Sequence, residues 1–293
     1  MSGGARLGVL GGSGLYAFEE LEDRREVELE TPFGRPSDAI VLGRLRGIEV
    51  AFLARHGRTH RLLPTEINFR ANIYAMKSLG VEAILSASAV GSLREEIRPL
   101  DVVVPDQFID RTRHRADTFF GEGIAAHVSL SDPVCPALAR AAADAAEAAG
   151  ARVHRGGVYL CMEGPQFSTR AESELYRSWG ASVIGMTNLQ EARLAREAEI
   201  CYATLALVTD YDCWKTDEPP VTVDAVVERL HRNAERARRA VAELAERLPS
   251  SGCSCRRALD GAIITPVSAI DARVRDRLAP ILSRVLGGAG ESA

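Results

Sequence analysis

The sequence predicts an α/β layer fold. Short apolar runs alternate with longer helical stretches along the chain, the pattern of strands and helices stacked in layers. Several runs are apolar at nearly every position, as strands buried on both faces are. The residues with chemistry to offer collect where those runs end, which is where ligands sit in open α/β sheets.

Residues 6–10 read as a first strand, running into Gly11-Gly12-Ser13-Gly14. Residues 49–53 read as a second, ending at Ala54-Arg55-His56-Gly57, and residues 81–89 as a third, closing in small residues before Gly91-Ser92. Residues 102–104, 183–186 and 202–208 are further strands. Among the helices, 136–149 is alanine-rich and stops at Gly150, a residue type that favours the backbone turn beyond a helix. Thr169-Arg170-Ala171-Glu172 has capping-box spacing, so a helix is expected to start there and end near Gly180. Residues 188–199 form another, and the longest runs from about 223 to 248, with Val223, Val226, Val227 and Leu230 on one face and arginines on the other. No internal repeat or low-complexity linker interrupts the pattern. One unit spanning 1–293 is expected, its ordered core at about 6–283, with a frayed tail.

Composition narrows the class. The 293 residues are 46% hydrophobic and 26% charged, enough apolar material for a sizeable core. A net charge of −4 argues against a nucleic-acid binder. Residues 1–10 lack the apolar core of a signal peptide, and no apolar run is long enough to span a bilayer. A soluble, cytoplasmic protein without a membrane partner is expected. Cys135, Cys161, Cys201 and Cys213 stand singly and read as reduced, buried thiols. Cys253 and Cys255 form a C-x-C pair with no second pair beside it in the sequence. This reads as two free thiols near the surface, with a redox-sensitive or strained disulfide as the lesser alternative, and argues against a metal site.

The segments that could carry chemistry have bland readings too. Gly12-Ser13-Gly14 could turn backbone N–H groups and a hydroxyl toward an anion, or be a tight structural turn. Leu15 replaces the lysine of a phosphate-binding P-loop, and the acidic segment 18–23 is unsuited to the helix of a dinucleotide fold. Arg55 and His56 leave a strand together; the arginine fork matches phosphate oxygens. Ser88, Ala89, Gly91 and Ser92 allow close approach to backbone, or merely close packing. Phe167 could stack on a flat base, or act as a hydrophobic staple before the helix. Met186 and Thr187 close another strand, the hydroxyl being the more telling. Sharpest is Thr209-Asp210-Tyr211-Asp212 after an apolar strand. Two carboxylates two residues apart face the same side in extended geometry, and mutual repulsion with partial burial would raise one pKa of the pair; a metal site or a solvated turn is the bland reading.

The ordered set Gly11-Gly12-Ser13-Gly14-Leu15, Thr31-Pro32-Phe33-Gly34, Leu53-Ala54-Arg55-His56-Gly57-Arg58, Asn68-x-x-Ala71-Asn72, Gly91-Ser92-Leu93-Arg94-Glu95-Glu96, Asp106-Gln107-Phe108-Ile109-Asp110-Arg111, Glu163-Gly164-Pro165-x-Phe167-Ser168 and Thr209-Asp210-Tyr211-Asp212-Cys213-Trp214 resembles the methylthioadenosine phosphorylases, a branch of the purine-nucleoside phosphorylase family. The resemblance implies one α/β domain with a central mixed sheet flanked by helices, assembled as a homotrimer or a dimer of trimers. It implies that Ser13, Arg55, His56, Ser88, Ala89 and Thr187 hold phosphate, that Met186 lies by the ribose, and that Phe167 and Ser168 line the base site. Asp210 would serve N7 of adenine as the catalytic acid and Asp212 the 6-amino group. Val223 and Val226 would form the methylthio pocket, with His127 reaching in from a neighbouring subunit. No metal or organic cofactor is implied; inorganic phosphate is the co-substrate. Three departures stand out: Ser88 replaces a frequent threonine, Gln190 replaces the proline before Glu191, and Cys253-x-Cys255 is found in only some members.

The expected reaction is phosphorolysis of S-methyl-5′-thioadenosine to adenine and 5-methylthioribose 1-phosphate. Phosphorolysis of 6-oxopurine nucleosides is the nearest alternative, and a non-catalytic nucleoside-binding protein on the same scaffold is a more distant one.

Overall fold

Among the residues that the computed structural model of the chain describes (6–12, 15, 20–216, 223–249 and 252–286, with backbone alone at 223–228 and 230–232), eleven strands join in one mixed sheet. They are β1 (Leu7–Gly11), β2 (Glu22–Val27), β3 (Ile40–Leu45), β4 (Ile48–Ala54), β5 (Ala83–Ser92), β6 (Val102–Val104), β7 (Gln107–Arg111), β8 (Val153–Arg155), β9 (Val158–Met162), β10 (Val183–Gly185) and β11 (Cys201–Asp210). The helices are α1 (Phe69–Ser78), α2 (Pro136–Ala148), α3 (Arg170–Ser178), α4 (Asn188–Glu197), α5 (Val223–Ala245), α6 (Ala272–Arg277) and α7 (Ala279–Leu286). Among the described residues, no helix is long and apolar enough to cross a membrane.

The sheet runs β2-β3-β4-β1-β5-β10-β9-β7, and a branch from β5 continues through β11 and β6 to β8. β5 lies parallel to β1 and to β11 and antiparallel to β10. Side-chain alternation along these central strands feeds two cores. Leu7, Val9, Leu85, Cys201 and Leu205 pack toward α2 and α5, among Leu138, Ala142, Val241 and Leu244. Leu10, Ile84 and Tyr202 pack toward α1, α4 and α7, among Ile73, Met76, Leu194 and Ile281. Double-sided burial is the reason these strands read as unbroken apolar runs.

Each strand predicted from its apolar run is present, with ends shifted by up to a few residues. The helix expected over 188–199 stops at Glu197, and the long helix stops at Ala245. The acidic segment expected to resist helix leads into β2, an exposed edge strand of sequence EDRREV, where charge discourages pairing with another chain.

Parallel pairing brings several strand ends to one edge. Gly11 sits opposite Ala54, and Leu10 opposite Ser86. Asp210 sits opposite Gly91 after a register shift in β11. The loops leaving β1, β4, β5 and β11 therefore meet. α5 braces the last of them: Arg229 donates to the carbonyl of Thr209 at 2.5 Å and Asn233 to that of Val208 at 3.3 Å.

Candidate functional site

At that edge lies a cavity of about 510 Å³, within the ~300–1,000 Å³ usual for small-molecule sites. Arg55, His56, Ser88, Ala89, Thr187, Met186, Phe167, Asp210 and Asp212 all line it. Leu62, Leu63, Pro64, Met162 and Ile184 supply apolar wall that the sequence reading did not single out.

One end is cationic. The Arg55 guanidinium is buried, and its fork corrects the sequence expectation: Nε and Nη2 are engaged by the carboxylate of Glu191, so that edge is closed to phosphate. Nη1 donates to the Ala87 carbonyl at 3.1 Å, which leaves one Nη1 hydrogen without a protein acceptor among the described residues. Behind the pair, Ser86 and Tyr202 hydroxyls donate to Glu191 at 2.7 and 2.9 Å, and the Asn188 amide donates to Ser86 and Thr204, both at 2.9 Å. These residues were missed; the available signal was a hydroxyl at Ser86 and Thr204 inside otherwise apolar strands.

His56 fits the same end. Its Nδ1 lies 2.8 Å from the carbonyl of Leu62. A carbonyl only accepts, so Nδ1 carries the hydrogen. Burial, with the nearby Arg55 charge, pushes the imidazole down to about 4. The ring is therefore neutral near pH 7, and Nε2 is an acceptor. Thr187 is buried as the N-cap residue of α4. The Ser88 hydroxyl is buried without a partner; the Tyr159 hydroxyl is its neighbour but lies outside hydrogen-bond geometry.

The other end is acidic. Asp210 closes β11, while Asp212 follows at φ 52°. The pair thus shares the cavity through a left-handed turn, and strand alternation is not the cause as the sequence reading supposed. Gly91 makes room: a Cβ there would stand 3.0 Å from Asp210 Oδ1 and 3.3 Å from the Asp212 Cβ. Burial raises the Asp210 carboxyl, against hydrogen bonds from Thr209 and the Asp212 amide. Burial likewise raises Asp212. The Thr209 hydroxyl lies 2.7 Å from Asp210 Oδ2 and 3.2 Å from the Val90 carbonyl. The hydroxyl donates to Asp210 and shares its proton with the longer contact to Val90. Asp212 Oδ2 is buried without a partner, with the hydroxyls of Ser173 and Ser168 nearby but outside hydrogen-bond geometry.

Between the two ends, Arg115 fixes the wall. Its guanidinium donates to the Glu163 carbonyl at 2.5 Å, to Gln190 at 3.0 Å, and to the Met186 carbonyl. Gln190, standing where a proline was expected, is thereby built into the site's frame.

Other expected positions fall elsewhere. Ser168 is outside the cavity lining; its carbonyl accepts from Cys213 at 3.2 Å. Phe167 is 46% exposed at the cavity rim. His127 is exposed and does not line this chain's cavity. Ser13 and the side chains of Val223 and Val226 lie outside the described residues. The cysteine reading is also corrected. Cys255 is buried, and it and Cys253 lie against Cys135 and Cys201, with all four sulfurs within 4.8 Å of one another.

Comparison with known proteins gives a consistent result. The family model described as "Phosphorylase superfamily" matches residues 6–246. An S-methyl-5′-thioadenosine phosphorylase from Gloeobacter violaceus is 59% identical over 286 residues, covering 96% of each chain. One from Thermosynechococcus vestitus is 58% identical over 287 residues, covering 96% of this chain and 99% of its own. Among solved structures, a methylthioadenosine phosphorylase from an antarctic soil metagenomic library superposes with a TM-score of 0.91 at 50% identity, covering 96% of this chain and 100% of its own. The Schistosoma mansoni methylthioadenosine phosphorylase in complex with adenine gives 0.79 at 31% identity, covering 95% and 98%.

Proposed function

The chain belongs to the phosphorylase superfamily and, within it, to the S-methyl-5′-thioadenosine phosphorylases, and on that premise we propose that its cavity brings inorganic phosphate and S-methyl-5′-thioadenosine together for phosphorolysis. The bond from C1′ of the ribose to N9 of adenine breaks, a bond from C1′ to a phosphate oxygen forms, and a proton is left on the base. The products are adenine and 5-methylthioribose 1-phosphate.

One observation carries this reading. Ser88 Oγ and Asp212 Oδ2, in the walls of one cavity, are both buried without a hydrogen-bond partner. An unsatisfied buried polar group costs about 1–3 kcal/mol, so a ligand that meets both recovers that cost. A hydroxyl beside Arg55 suits an oxyanion; a carboxylate oxygen suits an N–H donor such as the 6-amino group of adenine.

In the reaction, Asp210 holds a proton at N7 and offsets the negative charge that grows on the departing purine. Ser88, Thr187, the free Nη1 hydrogen of Arg55 and the backbone at Ala89 hold phosphate, with Ser13 as a further donor. His56 accepts from a protonated phosphate oxygen. Met186 lies under the ribose, Phe167 flanks the base from the cavity rim, and Val223 and Val226 receive the methylthio group. Catalysis is then mainly positioning and electrostatics, with no metal or organic cofactor in the reaction. The assembly is a homotrimer in which His127 of one copy completes a neighbour's site, and the compartment is the cytoplasm.

The test is a panel of nucleosides with and without phosphate, read by release of free base. Adenine should appear from methylthioadenosine only when phosphate is present. Faster release of hypoxanthine from inosine would move the assignment to 6-oxopurines. Nucleoside binding without any cleavage would reduce the protein to a binding module.

A further inference from the structure

Outside the nucleoside cavity, the described residues bring four cysteines from three parts of the chain around one point. Cys135 is the N-cap of α2, Cys201 opens β11, and Cys253 and Cys255 flank the start of a short 3-10 turn, Ser254–Arg257. Every pair among their sulfurs is within 4.8 Å, and Cys135 and Cys253 approach to 3.5 Å. We infer that these four cysteines form a tetrathiolate site for a zinc ion that fastens the C-terminal segment to the central sheet.

The geometry favours a metal over sulfur–sulfur pairing. A tetrahedral zinc with Zn–S distances of ~2.3 Å sets its sulfurs roughly 3.8 Å apart. All the sulfurs lie within 4.8 Å of one another, with Cys135 and Cys253 at 3.5 Å, a spread compatible with one tetrahedral ion, whereas two disulfides would gather the atoms as two close pairs. Zinc in place of four thiol protons leaves a net charge of −2, and the surroundings offset it. Arg196 Nη1 lies 3.8 Å from Cys255 Sγ, and Arg256 stands beside Cys201 and Cys253 while paired with Glu82. The Leu138 amide at the start of α2 donates to Cys135 Sγ at 3.5 Å. Amide and guanidinium contacts of this kind orient and stabilise metal thiolates.

Four protein ligands leave no open coordination position, which marks a structural site. Its place agrees. Cys201 and Asp210 stand at opposite ends of β11, roughly 30 Å apart at the rise of an extended strand. The ion therefore has no part in the chemistry. It joins the turn at 253–257, and with it the chain that runs on to α6 and α7, to the strand that ends at Asp210.

The test uses the full chain, purified and kept under a reductant that does not chelate metals. Metal analysis should find about one zinc per chain. After removal of zinc, cobalt(II) should bind at one equivalent, show the intense absorption of a tetrahedral thiolate complex, and be displaced by zinc. Cys253→Ser, at the half-buried ligand, should weaken zinc binding at least tenfold. Removing the metal from the parent should lower Tm while leaving kcat at moderate temperature unchanged. Uptake of neither ion by the reduced parent would overturn the site, and that measurement does not depend on any variant folding. So would zinc binding undiminished in Cys253→Ser, or thiol counting that finds the four sulfurs paired as disulfides in protein purified with zinc present.

Discussion

Arg55 faces Glu191 before it faces any substrate, so the proposed phosphate site depends on an internal ion pair. Both side chains are 2% exposed. Breaking a buried pair by removing one member typically costs about 3–5 kcal/mol. Glu191→Gln should therefore lower Tm markedly and also raise KM for phosphate, because the guanidinium loses the clamp that aims its free hydrogen; a melt within a degree or two of the parent would contradict this. In the proposed reaction Asp210 acts on the departing base. Its substitution by alanine should reduce kcat roughly a hundred- to ten-thousandfold, and a rate within a few-fold of the parent would remove it from the mechanism. His56 gives a pH signature. Its folded pKa of about 4 lies below the ordinary 6.5, so the unfolded chain takes up a proton first as pH falls. Stability should thus decline from about pH 6.5 down through 4, by on the order of 1–3 kcal/mol from this residue. Urea melts at pH 7 and 4.5 should show a smaller loss in His56→Asn than in the parent; equal losses would mean that His56 is not held neutral.

α3 links local sequence to the side of the cavity proposed to hold the base. Thr169 accepts from the Glu172 amide at 3.2 Å, and Glu172 accepts from the Thr169 amide at 2.8 Å, so both halves of the capping box are made. The turn that precedes this cap carries Pro165 and Phe167 at the cavity. Thr169→Ala should cost about 1 kcal/mol and raise KM for the nucleoside more than KM for phosphate, since only the base side rests on this turn. Kinetics in which both constants rise equally would show that the cap serves general stability alone. This helix was legible because its start signal is contiguous in sequence. β2 was not, because an exposed edge strand of charged residues has neither apolar alternation nor a turn signature to mark it. α1 was passed over as well; its cap is a single Asn68 side chain accepting from Ala71 at 3.1 Å.

Over the whole molecule, the sequence disclosed what depends on neighbours in the chain and concealed what depends on folding. The central strands β1, β4, β5 and β11 announced themselves by composition, and the residues at their ends were legible as site candidates, whereas β9, also parallel and largely buried, was not read as a strand. The partner of Arg55 lies 136 positions away, and Cys135 lies 118 positions from Cys253; no spacing rule spans such intervals. The same reasoning extends past a single copy. Leu63 and Phe167, each 46% exposed, leave an apolar rim on the cavity, and His127 is exposed without lining it. A homotrimer resolves both if a neighbouring copy lays its His127 across that rim. Light scattering should then give about three times the 31.6 kDa chain mass, and His127→Ala should raise KM for the nucleoside without moving Tm. The sharper measurement mixes two defective chains. Asp210→Ala chains keep His127, and His127→Ala chains keep Asp210. In mixed trimers some sites draw an intact His127 from one chain and an intact Asp210 from the other, so nucleoside affinity should recover on mixing and subunit exchange. A monomer at assay concentration, or a mixture no more active than the sum of its parts, would confine each site to one chain.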